Sequence, residues 1–454
     1  MGKVATDFFD AAAGALFIPY WDFWNGEIGG LRRNELVRLL DAQWKDNFRQ
    51  ELSEVLGFAW YAHQHSPYYR RRGPAPTTME EFFKLPILTK DDIRAHGEEM
   101  FSDEFKRAEL VHSKTGGSTG VALNIFCDRV CQQLRNAAAL RGDLWSGWKL
   151  GETRGALWGN PPVPQGLKAW ARAQLFDRLI FLDTIEMSAA SMDRFIEQLL
   201  ARNVRTLYGH AHSLFVFANH VATRNGAGLK IGSIISTSMI LIPSERQRIE
   251  QVFGCRVTDR YGCEEVSLIA SECERHEGLH VNSDHVFLEV LRPDGTPAGA
   301  GEEGAVVVTE LINHGQPLLR YAVGDVTVRL GRDCGCGRRR PLLERVIGRT
   351  ADFLVKRDGS LVAGVSLVER TLTAIPGLAQ MQIIQDRVDE LEINIVPDQN
   401  FTPETERRLI DEMRRAFGQV AVIIKSGDQL QQEKNGKYRF AICRVATRYQ
   451  EAAR

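Results

Sequence analysis

Apolar residues recur every three or four positions between Asn34 and His65. This spacing places them on one face of a helix, and the pattern stops before Pro67. It therefore predicts one or two amphipathic helices over residues 34–65. The segment that follows contains Thr89, whose hydroxyl suits the cap of a helix that begins at the next residue.

Short apolar stretches alternate with helical patterns from there to about residue 347. The clearest examples are strands at residues 155–158 and 233–237 and helices at residues 192–202 and 244–253. This alternation predicts a fold of the α/β class, in which sheets and helices form layers.

The pattern changes after residue 348. Helices near residues 365–373 and 403–417 and strands near residues 380–385 and 390–396 predict a compact α+β unit of about 100 residues. We therefore expect a large α/β domain over residues 1–347 and a small α+β domain over residues 348–454.

The composition narrows the class of protein. The chain has 57 Lys and Arg residues against 58 Asp and Glu residues, so it has no overall basic field and a nucleic-acid partner is not expected. The first residues match neither a secretory signal nor a membrane span, which favours a cytoplasmic protein without a membrane partner. In that compartment we expect the eight cysteines to be reduced thiols or metal ligands.

A loop rich in glycine and hydroxyl side chains spans residues 113–120 and reads Ser-Lys-Thr-Gly-Gly-Ser-Thr-Gly. Glycine permits close backbone approach, so several N–H groups and hydroxyls can face an anion. Extended segments before and after the loop predict a hairpin that closes over a phosphate, although a polar surface turn is the alternative. The loop is not of the Walker type, because Lys114 precedes the glycines.

Three further motifs contain charged side chains suited to nucleotide chemistry. Glu265 ends the motif Tyr-Gly-Cys-Glu-Glu at residues 261–265, where a carboxylate can hold Mg²⁺. Asp325 follows Gly324 at the end of an apolar strand, and its carboxylate suits the two hydroxyls of a ribose. Lys437 follows an Asn-Gly turn and can neutralise charge on a transferring group. Taken singly, each motif has an ordinary structural alternative on the protein surface.

In this order, and with Gly348-Arg349 between them, the motifs resemble those of the adenylate-forming superfamily of acyl-CoA synthetases. The chain is most similar to the phenylacetate-CoA ligase branch, which includes capsular-polysaccharide-type proteins. The resemblance implies ATP- and Mg²⁺-dependent adenylation of a carboxylic acid, followed by transfer to CoA. It also implies a small domain that rotates between the two half-reactions, and a homodimer, since family members often dimerise.

The resemblance implies roles for individual residues. The residues that would clamp the ATP phosphates are Ser113, Thr115, Gly116, Gly117, Ser118, Thr119 and Gly120. Tyr261 would lie against adenine, Glu265 would bind Mg²⁺ and Asp325 would bind the ribose. Arg349 would contact the nucleotide from the domain junction. Lys437 would contact the carboxylate and the α-phosphate during adenylation, where positioned cations stabilise the developing charge.

The resemblance also places the acyl group between the phosphate loop and the segments before Tyr261. The implied lining is Trp158, Tyr208, His210, His212, Phe215 and residues 236–239, with Ser236 and Ser238 among them. Aromatic walls favour a flat aryl acid over a long chain, although the same residues also suit a hydrophobic core.

Four positions depart from the pattern of the family. Ala122 replaces a proline after the phosphate loop, Glu264 replaces a hydroxyl residue, and Ala351 replaces a charged residue at the hinge. Residues 236–239 also lack a frequent acidic residue. Adenylation followed by transfer to CoA is the first hypothesis. The alternatives are an adenylyltransferase or amide-forming enzyme that does not use CoA, and a catalytically silent scaffold protein.

Four side chains have the spacing of a structural zinc site. Cys273 and His280 are separated by six residues, and Cys334-Gly335-Cys336 lies further along the chain. Three thiols and one imidazole form a closed tetrahedral ligand set, and some members of the resembled branch have a similar arrangement. Glu272 and His276 are alternative ligands, and two unrelated sets of reduced thiols are the alternative interpretation.

Overall fold

The computed structural model describes residues 30–45, 48–114, 123–159, 164–184, 187–349, 353–359, 361–430 and 438–445. The predicted amphipathic pattern forms two helices, α1 (Leu31–Ala42) and α2 (Phe48–His65). Three short helices follow, α3 (Pro67–Arg70), α4 (Met79–Phe82) and α5 (Lys90–His96). Thr89 caps α5, because its hydroxyl accepts the Asp92 N–H and Asp92 in turn accepts the Thr89 N–H. The predicted helix cap is therefore confirmed.

The next elements alternate between strand and helix. A 3₁₀ turn (Arg107–Glu109) precedes an antiparallel hairpin of β1 (Val111–Lys114) and β2 (Asn124–Cys127), which α6 (Arg129–Trp145) follows. The series continues with β3 (Arg154–Trp158), α7 (Gly166–Arg172), a π-helical turn (Ala173–Asp177), β4 (Leu179–Asp183), α8 (Ala189–Ala201), β5 (Thr206–His210), α9 (Ala211–Thr223), β6 (Ser233–Thr237), α10 (Pro243–Phe253) and β7 (Val257–Cys263). Strands β3 to β7 pair in parallel, so the predicted α/β class is confirmed.

Antiparallel strands extend the same sheet beyond β7. They are β8 (Ser267–Glu272), β9 (Leu279–Val281), β10 (Val286–Leu291), β11 (Glu303–Glu310), β12 (Tyr321–Arg329) and β13 (Leu342–Arg349). Among the described residues, eleven strands form one sheet in the order β10-β11-β12-β13-β9-β8-β7-β6-β5-β3-β4. Strand β7 is parallel to β6 and antiparallel to β8, so the pairing in the sheet changes from parallel to antiparallel at this strand.

Residues 353–445 form a smaller unit with a separate sheet. Its elements are β14 (Phe353–Val355), β15 (Leu361–Ala363), α11 (Gly364–Ala374), β16 (Leu378–Arg387), β17 (Glu390–Pro397), α12 (Pro403–Phe417), β18 (Ala421–Ser426) and β19 (Ala441–Cys443). The sheet order is β18-β17-β16-β19, and α12 contributes Leu409 and Met413 to the core of this unit. Ile242 of the large unit packs into the same core, so the two units are in contact.

The position of Asp325 differs from the sequence expectation. Strand β12 continues to Arg329, so Asp325 lies inside the strand and not at its end. Gly324 has a φ of 92°, and the pairing of β12 with β11 is irregular at this place. The irregularity explains the error, because a glycine with positive φ normally marks a turn but here interrupts a strand that then resumes.

Among the described helices, none combines the length and the apolar character that crossing a bilayer requires.

Candidate active site

A cavity of about 560 Å³ lies between the large sheet and the small unit. Tyr261 of β7 and Asp325 of β12 line it on one side, and residues 438–440 of the small unit line it on the other. A volume of this size suits a small-molecule ligand. The two side chains expected to contact adenine and ribose therefore share one cavity at the boundary of the two units.

Tyr261 and Asp325 are joined directly. The Tyr261 hydroxyl donates a hydrogen bond of 2.8 Å to Oδ2 of Asp325. Burial and the Asp325 carboxylate raise the pKa of Tyr261 well above its usual value, so the phenol stays protonated and acts as a donor. The next residue, Gly262, has no room for a side chain, since a Cβ there would collide with the carbonyl oxygen of Ser267. The local sequence thus fixes how β7 presents Tyr261.

Glu265 comes four residues after Tyr261 in the sequence and is almost completely buried, with 2% of its surface exposed. Its Oε1 accepts a hydrogen bond of 2.7 Å from the Tyr321 hydroxyl and lies 3.5 Å from Nζ of Lys90. Burial alone would raise the pKa of Glu265, but Lys90 and Tyr321 outweigh burial and lower it. Glu265 is therefore an ionised carboxylate, which is the form that binds a divalent cation.

A buried ion pair supports the backbone of Glu265. Arg135 of α6 donates two hydrogen bonds of 2.6 Å to the carboxylate of Glu310 and one of 2.7 Å to the carbonyl oxygen of Glu265. Both side chains of the pair are buried. The bidentate geometry fixes the guanidinium group, which in turn fixes the carbonyl of Glu265.

Several expected site residues fall outside the described residues. They are Thr115, Gly116, Gly117, Ser118, Thr119, Gly120 and Lys437, together with the hinge residue Ala351. Ser113 is described, and it pairs with Ile125 in the predicted hairpin. Arg349 pairs through its backbone with Asp325 between β13 and β12, which places the expected junction residue next to the expected ribose carboxylate.

The expected acyl wall lies at the carboxyl ends of the parallel strands. Trp158 of β3 stacks on Tyr208 of β5, with ring centroids 5.6 Å apart and planes within 9° of each other, and it also contacts His210 at 4.5 Å. Ser236 of β6 pairs with Gly209 of β5. Ser238 lines the cavity itself. The structure thus brings Trp158, Tyr208 and His210 together on one face of the sheet, whereas the register places Ser236 on the opposite face.

Beside this wall lies a charged group that sequence reasoning missed. Asp143 of α6 accepts hydrogen bonds from Arg154 and Arg260, and both guanidinium groups approach the ring of Tyr208. Lys90 was missed as well. These contacts join residues far apart in the chain, so no local pattern indicates them.

The four predicted metal ligands form one cluster. The candidate ligand atoms of Cys273, His280, Cys334 and Cys336 all lie within 4.8 Å of one another. Sγ of Cys273 is 3.7 Å from Sγ of Cys334, and Sγ of Cys336 is 3.4 Å from Nε2 of His280. The thiols are therefore not two unrelated sets.

The alternative ligands have other partners. Glu272 accepts hydrogen bonds from both Nη atoms of Arg246 and from the N–H of Asp259, and Nδ1 of His276 lies 3.2 Å from Oε2 of Glu272.

The same glutamate affects a residue of the cavity. Burial and the Glu272 carboxylate raise the pKa of Asp259, which lines the cavity, to about 7.

Residues 354–444 match the family of CapK C-terminal domains. The chain is 26% identical to a phenylacetate-coenzyme A ligase of Thermus thermophilus over 384 residues, which cover 78% of this chain and 82% of the relative. It is 24% identical to Protein CapK of Staphylococcus aureus over 329 residues, which cover 70% of each chain.

The fold is also that of a solved CoA ligase. The crystal structure of 2-hydroxyisobutyryl-CoA ligase in the postadenylation state, in complex with R3-HIB-AMP, is 19% identical with a TM-score of 0.69, over 89% of this chain and 90% of that one. The fold and the relatives support an adenylate-forming enzyme. The chain is similar to phenylacetate-CoA ligases and CapK, and this similarity supports the adenylate-forming CoA ligase superfamily that the motifs indicated.

The same 2-hydroxyisobutyryl-CoA ligase in its thioesterification state, in complex with 2-HIB-AMP and CoA, is 20% identical with a TM-score of 0.57, over 87% of this chain and 89% of that one.

Proposed function

We propose that this chain uses ATP and Mg²⁺ to adenylate a carboxylic acid and then transfers the acyl group to CoA. The observation that carries the proposal is the single cavity that contains Tyr261 and Asp325 of the large sheet together with residues 438–440 of the small unit. Relatives named as phenylacetate-coenzyme A ligases support both an ATP-dependent ligase and CoA as the acyl acceptor.

In the first half-reaction, a carboxylate oxygen of the acid attacks the α-phosphorus of ATP, and pyrophosphate leaves. Asp325 would accept the ribose hydroxyls and Tyr261 would lie against the base. Glu265 would hold Mg²⁺, which neutralises phosphate charge, and its buried, ionised carboxylate fits that role. Lys437 would contact the carboxylate and the α-phosphate. In the second half-reaction, the CoA thiolate attacks the acyl carbon, and AMP leaves.

An aromatic or small acid fits the expected acyl wall best. Trp158 and Tyr208 form a flat, stacked surface at the carboxyl ends of β3 and β5, and such a surface matches a planar ring better than a flexible chain. A panel of carboxylic acids would identify the preferred substrate.

The deciding experiment incubates the protein with ATP, Mg²⁺ and a panel of carboxylic acids, with and without CoA. We expect acid-dependent pyrophosphate release, and AMP release that depends on CoA. Pyrophosphate without CoA-dependent AMP release would indicate another acyl acceptor. Absence of acid-dependent pyrophosphate across a broad panel would overturn the proposal in favour of a scaffold role.

Two lysine variants sharpen this experiment. Lys437→Ala should lose pyrophosphate release, whereas Lys434→Ala, which removes an equal charge from the same segment, should retain it. Equal activity of the two variants would contradict the role given to Lys437.

A structural zinc ion at the cysteine cluster is a second part of the proposal. Three thiols and one imidazole at these separations fit the closed tetrahedral set that Zn²⁺ favours. Protein purified without added zinc should contain about one zinc per chain. Cys334→Ser should lower both the zinc content and the thermal midpoint, whereas Cys255→Ser, outside the cluster, should leave the zinc content unchanged. Metal-free protein with an unchanged midpoint in Cys334→Ser would refute the site.

The domain boundary at residue 348, the homodimer and the cytoplasmic location stay predictions. The boundary is supported by the end of β13 at Arg349 and by the core of the small unit, whose buried members other than Ile242 lie at Leu354 and beyond.

A further inference from the structure

His212 of the large unit forms a buried pair with a carboxylate. It lies in the first turn of α9, and its Nδ1 is 2.5 Å from Oε1 of Glu245, which lies in the first turn of α10. The exposed fractions of the two side chains are 1% and 4%. Two helix starts of the large unit are therefore tied together at a place that water hardly reaches.

The same imidazole contacts the small unit through three residues. Its Nε2 is 3.3 Å from Oε1 of Gln380 in β16. Its ring meets the ring of Tyr438 edge-on at 4.3 Å and that of Phe440 at 5.4 Å. The sequence resemblance places His212 in the acyl wall, but the structure places it between the two units.

On the other side of the contact, the segment 438–440 is fixed to β16. Gln382 donates a hydrogen bond of 2.7 Å to the carbonyl oxygen of Arg439, and the N–H of Ile383 donates one of 2.9 Å to the carbonyl oxygen of Phe440. Gln380, Tyr438 and Phe440 therefore belong to one rigid surface of the small unit. His212 contacts all three of these residues.

The contact lies at the rim of the candidate nucleotide cavity. Residues 438–440 line the cavity, and so do Ile242 and Pro243, which lead directly into the helix that contains Glu245. The segment is also covalently continuous with Lys437. The docked segment thus immediately follows the expected adenylation lysine in the sequence.

We propose that His212 and Glu245 are positioning residues for adenylation, which dock residues 438–440 at the cavity while the first half-reaction occurs. The inference rests on the proposed function, because it assigns the docked arrangement to one of its two steps. The imidazole contacts small-unit residues from two separate segments, so rotation of the small unit for thioester formation would break the contact. The two half-reactions should therefore depend on His212 to different extents.

The experiment measures the half-reactions separately. In His212→Ala, acid-dependent pyrophosphate release in a single turnover should slow by about a hundredfold, the order of loss that a small misplacement of a reacting group produces. Thioester formation started from a synthetic acyl-adenylate and CoA should change by less than about twofold, because it does not need the docked arrangement. Equal losses in both steps, or no loss in the first, would overturn the inference.

A matched control is available on the same helix. His220 of α9 also pairs with a carboxylate of the large unit, at 2.7 Å from Asp193, although this pair is more exposed than that of His212 and Glu245. His220→Ala removes a histidine–carboxylate pair from the same helix and should leave both half-reactions unchanged. Gln380→Ala removes a contact from the side of the small unit without disturbing the buried pair, and it should slow adenylation selectively even if His212→Ala folds poorly.

A second readout does not depend on activity. Amide hydrogen exchange in peptides covering residues 211–216 and 438–443 should be faster in His212→Ala than in the parent protein, and unchanged in His220→Ala. If the parent releases no pyrophosphate with any acid, the proposed function fails while exchange still reports whether His212 docks the segment. Unchanged exchange in His212→Ala would refute the docking contact.

Discussion

The hydroxyl of Tyr261 donates a 2.8 Å hydrogen bond to Oδ2 of Asp325, and this bond links β7 to β12 across the three strands that lie between them in the sheet. The bond orients the carboxylate before any nucleotide binds. It also joins the two groups expected to contact the base and the sugar, so a change at one should be felt at the other.

Asp325→Asn should raise the dissociation constant of ATP about tenfold or more. A hydrogen bond to a charged acceptor contributes about 1.5–3 kcal/mol, and about 1.4 kcal/mol corresponds to tenfold in affinity. Titration calorimetry with ATP measures the change. Tyr261→Phe keeps the ring and the carboxylate and should cost less. Unchanged affinity in Asp325→Asn would remove Asp325 from the nucleotide site.

Glu265→Gln should slow adenylation by about a hundredfold, the order seen when a preorganised electrostatic group is lost. The amide cannot balance Lys90 or bind Mg²⁺ as a carboxylate does. Pyrophosphate release as a function of Mg²⁺ concentration is the measurement. Glu264→Gln alters the exposed neighbour and serves as the matched control, with activity close to that of the parent. Similar rates for the two variants would contradict a magnesium role for Glu265.

Glu310→Gln should destabilise the protein by about 3–5 kcal/mol, because it leaves the buried guanidinium of Arg135 without its counter-charge. Denaturant unfolding gives the free energy. Glu392→Gln breaks the exposed pair with Lys425 and should cost less than about 1 kcal/mol. If both substitutions lowered the free energy of unfolding equally, burial of the Arg135–Glu310 pair would not increase the cost of breaking it.

Glu35 should contribute to the pH dependence of stability. Burial opposes ionisation, but hydrogen bonds with Arg38 and His285 prevail and lower the pKa of Glu35 from 4.5 to about 2. A lowered pKa means that the contribution is complete above about pH 4.5 and is lost as the pH falls towards 2.

Glu35→Gln should therefore be less stable than the parent at pH 6, and the difference should shrink below about pH 4.5. Denaturant midpoints measured from pH 6 to pH 3 test this. A difference that stays constant over that range would show that Glu35 has its ordinary pKa in the folded protein.

Local chemical signals account for what the sequence predicts well. Strand β6 and helix α12 begin and end where the pattern places them, because a short run rich in β-branched residues, Thr402 as a cap and Gly418 as a stop all act within a few residues. The cluster of Cys273, His280, Cys334 and Cys336 was also recognisable from the spacing of these residues along the chain.

Contacts between distant segments account for what the sequence misses. Lys90 reaches Glu265, Arg135 reaches Glu310, and His212 reaches Gln380, each across more than 150 residues of sequence. These residues come into contact only when the sheet forms and the small unit packs against it. At Gly324 the local signal misled the prediction. Its positive φ is typical of a turn, but strand β12 resumes after it within the long sheet.

Strand β7 has the parallel strands on one side and the antiparallel strands on the other. The expected acid wall belongs to the parallel side, whereas Asp325 and Glu310 belong to strands of the antiparallel side. We therefore expect substitutions in β3, β5 or β6 to change which acid is preferred and to leave the affinity for ATP close to that of the parent protein.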